Sequence, residues 1–172
     1  MKWVWIGLAA LAGVIAAVIL IGASLPKTHV ASRAFRFKKS PDAIWHVITG
    51  PPDWRPDIRG FEELPKRDGR RTWKEIDSHN QAITYEMVEE RPPVRLVTRI
   101  ADPKLPFGGT WTHEITADGD GCVLKITEDG EIYNPFFRFM SRFVLGYYGS
   151  IDAYFKALQG KLGEQGEAWA RK

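Results

Sequence analysis

Thr110-Trp111-Thr112-His113-Glu114-Ile115-Thr116-Ala117, then Asp118-Gly119-Asp120-Gly121, then Cys122-Val123-Leu124-Lys125-Ile126-Thr127-Glu128 is the stretch that decides the fold. Trp111, His113 and Ile115 recur at every second position before the Asp/Gly link, and Leu124 and Ile126 do so after it. A period of two marks a half-buried strand, and so short a link between two such runs makes them an antiparallel hairpin.

The pattern extends upstream. Residues 71–77, 82–88 and 95–100 read as further strands, joined by Ser78-His79-Asn80, by Glu90-Arg91-Pro92-Pro93 and by the loop 103–109. Before them, residues 29–37 alternate around Val30, Phe35 and Phe37, and residues 61–64 begin another strand. Ser40-Pro41-Asp42 between these two is a helix start, with serine at the cap, proline at the first turn and Ala43, Ile44, Val47 and Ile48 as an apolar face. Downstream the period changes to that of a helix: Phe143, Tyr147, Ile151, Tyr154, Phe155, Leu158 and Leu162 share one face, which predicts a single long C-terminal helix and a frayed tail after Gly163. Strands grouped in sequence with helices at the ends give an α+β fold, six or seven antiparallel strands curving around one helix. A twisted sheet closing on one helix leaves space between them for a ligand.

At the N-terminus, residues 3–25 run without a charge, from Trp3 to Leu25. As a helix they extend roughly 34 Å at about 1.5 Å per residue, enough to cross a bilayer. Trp3 and Trp5 suit the membrane interface, and Pro26 suits a helix stop. The apolar run is longer than a signal-peptide core and Gly22-Ala23-Ser24 is a poor cleavage site, so an uncleaved anchor is expected. Lys27, Arg33, Arg36, Lys38 and Lys39 follow the span while Lys2 alone precedes it, which places the following domain on the cytoplasmic side. The expected organisation is an anchor over residues 1–27, a ligand-binding domain over 28–163 and a tail over 164–172.

Composition narrows the function. The chain carries 24 Lys+Arg against 21 Asp+Glu, and without Lys2 and Lys27 the excess is a single charge, so no nucleic-acid surface is implied. One cysteine, Cys122, excludes an internal disulfide framework and a cysteine-rich zinc site. His29, His46 and His79 show no metal-ligand spacing, and no phosphate loop, nucleophile elbow or dinucleotide fingerprint is present, so neither a metal nor a cofactor is expected.

Five segments carry a resemblance: Lys39-Ser40-Pro41-Asp42-Ala43-Ile44-Trp45, Trp73-Lys74-Glu75, Glu89-Glu90-Arg91-Pro92-Pro93-Val94-Arg95-Leu96-Val97, Phe107-Gly108-Gly109-Thr110-Trp111, and Thr127-Glu128-Asp129-Gly130-Glu131-Ile132-Tyr133-Asn134-Pro135. Together they resemble the START-related (SRPBCC) superfamily, also described as polyketide cyclase/dehydrase and lipid transport, over about residues 28–162. The resemblance implies a helix-grip fold, a curved antiparallel sheet wrapped around a long C-terminal helix and a hydrophobic tunnel. It leaves the activity open, since members range from lipid carriers to cyclases.

Strand alternation sends Trp73, Glu75, Ile83, Tyr85, Met87, Leu96, Thr98, Ile100, Trp111, His113, Ile115, Leu124 and Ile126 inward, and simple hairpin registers set Tyr85, Thr98 and His113 side by side. The helix face Tyr147/Ile151 is expected to meet the same space. Trp73, Glu75, Tyr85, Thr98, Trp111, His113, Tyr147 and Ile151 are therefore the candidate ligand-binding residues. His113, helped by Tyr85 or Glu75, is a candidate general acid/base, but a histidine hydrogen-bonded within a binding cavity is the simpler reading. Asn134-Pro135-Phe136-Phe137-Arg138-Phe139-Met140-Ser141-Arg142-Phe143 either pads the last helix or sets a cavity mouth against lipid headgroups. The expected function is a membrane-anchored, non-catalytic carrier of a hydrophobic small molecule (lipid, isoprenoid or aromatic). The alternatives are a cyclase/dehydrase-type enzyme on a hydrophobic carbonyl substrate, and an interaction module whose core is filled by its own side chains.

Overall fold

In the computed structural model, which describes residues 1–169, the decisive hairpin is longer than its sequence signal. Strands β6 (Phe107–Asp118) and β7 (Gly121–Ile132) pair without interruption from Asp118 opposite Gly121 to Phe107 opposite Ile132. Glycine is required here at Gly109, whose φ is +120° and where a Cβ would lie 2.2 Å from the Asp129 carbonyl oxygen. The other strands are β1 (Thr28–Phe37), β2 (Ile58–Arg67), β3 (Arg70–Asp77), β4 (Ala82–Arg91), β5 (Arg95–Ile100) and β8 (Glu167–Ala168). All pairings are antiparallel, in the order β2-β3-β4-β5-β6-β7-β1-β8. Six strands follow one another as a meander, and β1 closes on β7 across the whole sequence.

Four α-helices complete the architecture among the described residues. α1 (Lys2–Ser24) is the apolar N-terminal helix, long and apolar enough to cross a membrane. α2 (Pro41–Thr49) begins as its sequence requires, with the Ser40 hydroxyl accepting from the Ala43 N–H, and buries Ile44 and Trp45. α3 (Pro135–Met140) is capped by Asn134, whose side-chain oxygen accepts from the Phe136 and Phe137 amides. α4 (Gly149–Leu162) ends at Gly163 in a left-handed conformation, and its buried face is Ile151, Phe155 and Leu158.

Two expectations are corrected. The single C-terminal helix is broken: α3 passes into a π-helical segment, Ser141–Leu145, and the chain then turns at Gly146, φ +76°, before α4. Helical periodicity survives this break, which is why the sequence pattern ran through it. The tail is not frayed throughout: Glu167–Ala168 pairs with Phe35 and Arg36, and the Trp169 N–H donates to the Ala34 carbonyl, which makes the sheet eight-stranded. Residues 170–172 of the expected tail lie outside the described residues.

The packed part of the core lies at the β6-β7-β1 side. Phe37, Leu124, Ile126, Ile151, Phe155, Leu158 and Ile44 are fully buried there, with α4 lying on β1 and α2 on β6. Over β3, β4 and β5 the same concave face holds Trp73, Met87 and Leu96 but encloses a cavity.

Candidate ligand cavity

The cavity has a volume of about 790 Å³ and is walled by β3–β6, the segment between α2 and β2, the π-helical segment and the start of α4. Of the expected ligand-binding residues, Trp73, Glu75, Tyr85, Thr98, Trp111, His113 and Tyr147 line it. Ile151 does not. It is fully buried in the packed core one turn from Phe155, and the α4 residues that face the cavity are Gly149, Ser150, Ala153 and Tyr154.

The predicted row Tyr85–Thr98–His113 is also corrected. Tyr85 pairs with Ile100 and Trp73, Thr98 with Met87 and Trp111, and His113 with Leu96 and Ile126. β4 runs to Arg91, opposite Arg95, with a bulge between Met87 and Glu89, and the β4-β5 and β5-β6 registers are each displaced by two residues from the simple expectation. A slip of two leaves every side chain on its own face, so the inward set survives while the neighbours change.

One end of the cavity is built around an ion pair absent from the sequence reading. Arg55, in the loop before β2, donates to Glu75 (Nη1–Oε2, 2.9 Å) and to Asp57 (Nη2–Oδ2, 2.6 Å). Glu75 also accepts from the Trp73 indole at 3.1 Å. Burial works against the charge of Arg55, but the two carboxylates outweigh it and hold the guanidinium above its ordinary pKa. Aromatic rings surround this group: Trp73 stacks on Tyr85 at 5.7 Å, and Tyr154 meets Trp54 at 5.2 Å, Trp111 at 5.6 Å and His113 at 5.5 Å. Burial pushes the Tyr85 and Tyr154 phenols up, which keeps both as neutral donors.

His113 is 5% exposed, and neither ring nitrogen has a hydrogen-bond partner. Burial first, and then the Arg55 charge, push its pKa down to about 4; a contact with the Leu96 main chain opposes this but lies outside hydrogen-bonding geometry. Trp54 Nε1 is likewise buried and unpartnered. Unsatisfied buried polar groups are costly, and although both residues belong to the cavity wall these nitrogens are covered by protein.

At the other end His29 stacks on Tyr147 at 4.2 Å, and its Nε2 lies 3.2 Å from Glu128, which also accepts from Ser150 at 3.0 Å. This latch joins β1, β7 and α4 across the cavity wall. Of the latch, Tyr147 was expected at the cavity, whereas His29, Glu128 and Ser150, together with Arg55, Asp57, Trp54 and Tyr154, were not among the expected site residues. The only signal available was the polar or aromatic character of single positions. Among the described residues no three His, Cys, Asp or Glu side chains converge as a metal site requires.

A curved antiparallel sheet holding a C-terminal helix over an aromatic-lined chamber defines a START-like domain. Residues 28–158 match the family described as polyketide cyclase / dehydrase and lipid transport, and the chain belongs to it. No curated protein matches the sequence. Among solved structures, truncated norcoclaurine synthase from Thalictrum flavum is similar at TM-score 0.62 and 17% identity, covering 80% of this chain and 95% of that one. A START superfamily protein from Mycobacterium smegmatis is similar at TM-score 0.61 and 17% identity, covering 78% and 97%. The di-domain ARO/CYC StfQ of the steffimycin biosynthetic pathway is similar at TM-score 0.57 and 15% identity, covering 79% of this chain and 52% of that one. At these identities the likeness is one of fold.

Proposed function

We propose that this chain is a membrane-anchored binding protein that holds a hydrophobic small molecule, a lipid, isoprenoid or aromatic compound, in its internal cavity, with the domain on the cytoplasmic side of the membrane. The observation that carries the reading is the cavity of about 790 Å³ itself, within the 300–1,000 Å³ or so typical of small-molecule sites. A domain acting only through its surface would have filled that space, since empty volume costs stability. Trp73, Tyr85, Trp111 and Tyr147 supply the apolar wall, and Thr98 the sheet floor. His113, neutral at physiological pH, brings no charge to the cavity wall, which suits an uncharged ligand better than a carboxylate. Glu75 is held by Arg55 and Trp73 and orients that end of the wall.

The enzyme reading, a cyclase or dehydrase on a hydrophobic carbonyl compound, draws on the free ring nitrogens of His113. A pKa of about 4 works against it, because a proton-transfer group is most effective when its pKa lies near the operating pH. Native mass spectrometry of the detergent-purified full-length protein tests the two readings. A co-purifying apolar ligand is expected, and Thr98→Trp should remain folded and lose it. Ligand converted to product by the wild type and not by His113→Gln would move the assignment to the enzyme.

A further inference from the structure

The end of α1 and one end of the cavity are the same place in the molecule. Gly22 is the one buried residue of α1, and a Cβ there would lie 1.9 Å from the Pro135 carbonyl oxygen, so the α3 backbone rests directly on the last turn of α1. Arg138, only 7% exposed, reaches back from α3 and donates to the carbonyls of Leu25 (2.7 Å) and Ala23 (3.4 Å). A buried guanidinium thus caps the negative end of the α1 dipole. Two residues on, the Lys27 carbonyl accepts from the Ile132 N–H at 2.7 Å, and Ile132, Pro106 and Phe107 belong to the cavity wall.

Length then sets depth. A helix of 23 residues extends roughly 34 Å against a hydrocarbon core of about 30 Å, so residues 22–25 lie at the interface between acyl chains and headgroups. Whatever rests on Gly22 rests at that depth. The segment resting there is apolar on its outer side: Phe136, Phe137, Phe143, Val144 and Leu145 are all exposed, Leu145 by 69%. Phe137 and Leu145 also line the cavity, together with Ser141, Gly146 and Tyr147 from the same segment.

We propose that α3 and the π-helical segment lie in the interfacial layer of the bilayer that α1 crosses, and that the cavity exchanges its ligand with that bilayer between Phe137 and Leu145. This rests on the membrane-anchored reading and adds to it a docking surface, a fixed orientation and a route of entry. A soluble domain gains nothing from five exposed apolar side chains in ten residues, whereas a surface seated among lipid acyl chains gains from each.

The test uses the full chain in phosphatidylcholine liposomes. Phe143→Cys or Val144→Cys, each with Cys122→Ala, is labelled with an environment-sensitive fluorophore and challenged with nitroxide-bearing lipids. The control label is at Lys66→Cys, on exposed β2. Quenching at 143 and 144 should exceed that at 66 by at least about threefold, as for side chains set about 5–10 Å into the interface. Leu145→Glu should slow transfer of a pyrene-labelled fatty alcohol from the liposomes into the cavity and leave liposome association intact. Protein that floats with liposomes but shows no excess quenching at 143 and 144 overturns the docking surface and leaves the anchor standing. Protein that does not float overturns both.

Discussion

The concave face of the sheet has two halves built to different ends. At the β7-β1 side the inward residues are packed: Leu124, Ile126 and Phe37 share one fully buried cluster with Ile44 of α2 and Phe155 and Leu158 of α4. At the β3-β5 side the inward residues are larger and more polar, Trp73, Glu75, Tyr85 and Thr98, yet they face a cavity. The same alternation of side chains produces both halves. What differs is what arrives from above: two helices pack on one half, while on the other the helix is interrupted at Gly146 and an arginine-bearing loop takes its place. The packed half supplies the stability that allows the other to remain open.

Truncation should separate the halves most clearly. Leu124→Ala removes a fully buried side chain from a close-packed site and should cost about 3–4 kcal/mol, whereas Ile100→Ala in the cavity wall should cost about 1 kcal/mol because part of its surface meets no protein. Denaturant unfolding of the two variants in the same detergent measures the contrast. Equal losses would mean that the open half is closed in solution.

The next effect is a dependence on pH confined to the open half. His113 has a folded pKa of about 4 and an ordinary unfolded value near 6.5, so the unfolded chain binds the extra proton between them. Its contribution to stability is therefore complete above about pH 6.5 and is lost as pH falls towards 4, by roughly 2–3 kcal/mol. Unfolding free energies at pH 7, 6, 5 and 4.5 should fall along this slope, and His113→Gln should flatten it. A slope unchanged in that variant would assign the titration to the carboxylates.

How much of this was legible differs between the halves for a physical reason. The strands were readable because a period of two is local, and a register error of two residues, as at Tyr85 and Thr98, leaves each residue on its face. That is why the wall Trp73, Glu75, Tyr85, Thr98, Trp111 and His113 could be listed before its neighbours were known. Helical placement has no such protection. Ile151 and Tyr154 share the apolar face of α4 that the periodicity predicts, yet Ile151 enters the packed core while Tyr154 meets the cavity, a division that periodicity alone does not make. Arg55 and Asp57 were beyond reach, since a loop residue shows no periodicity and its partner Glu75 is twenty positions away.

Arg55 supplies the third contrast. It bridges Asp57 and the largely buried Glu75, and Arg55→Ala leaves the Glu75 carboxylate with the Trp73 indole alone. Removing one partner of a buried pair costs about 3 kcal/mol or more, but the cavity beside this one admits solvent, so a loss of about 2 kcal/mol is expected. Arg55→Ala should also weaken ligand retention, because Glu75 and the Trp73 ring it orients lose their fixed position. Retention unchanged in a folded Arg55→Ala protein would mean that the ligand sits at the Tyr147 end.

The smallest effect lies on the latch that joins the halves. The Ser150 hydroxyl donates to Glu128, which also contacts His29, so β1, β7 and the first turn of α4 are held by one carboxylate. Ser150 is exposed, and water replaces its hydroxyl readily, so Ser150→Ala should cost no more than about 0.5–1 kcal/mol. The consequence of interest is kinetic. The latch lies beside Tyr147 and the turn at Gly146, so its loss should loosen the open half alone, raising amide exchange over residues 146–150 while Leu124, Ile126 and Phe155 keep their protection. Exchange that rises in both halves together would show that they open as one unit, and that the packed half does not hold its structure independently of the other.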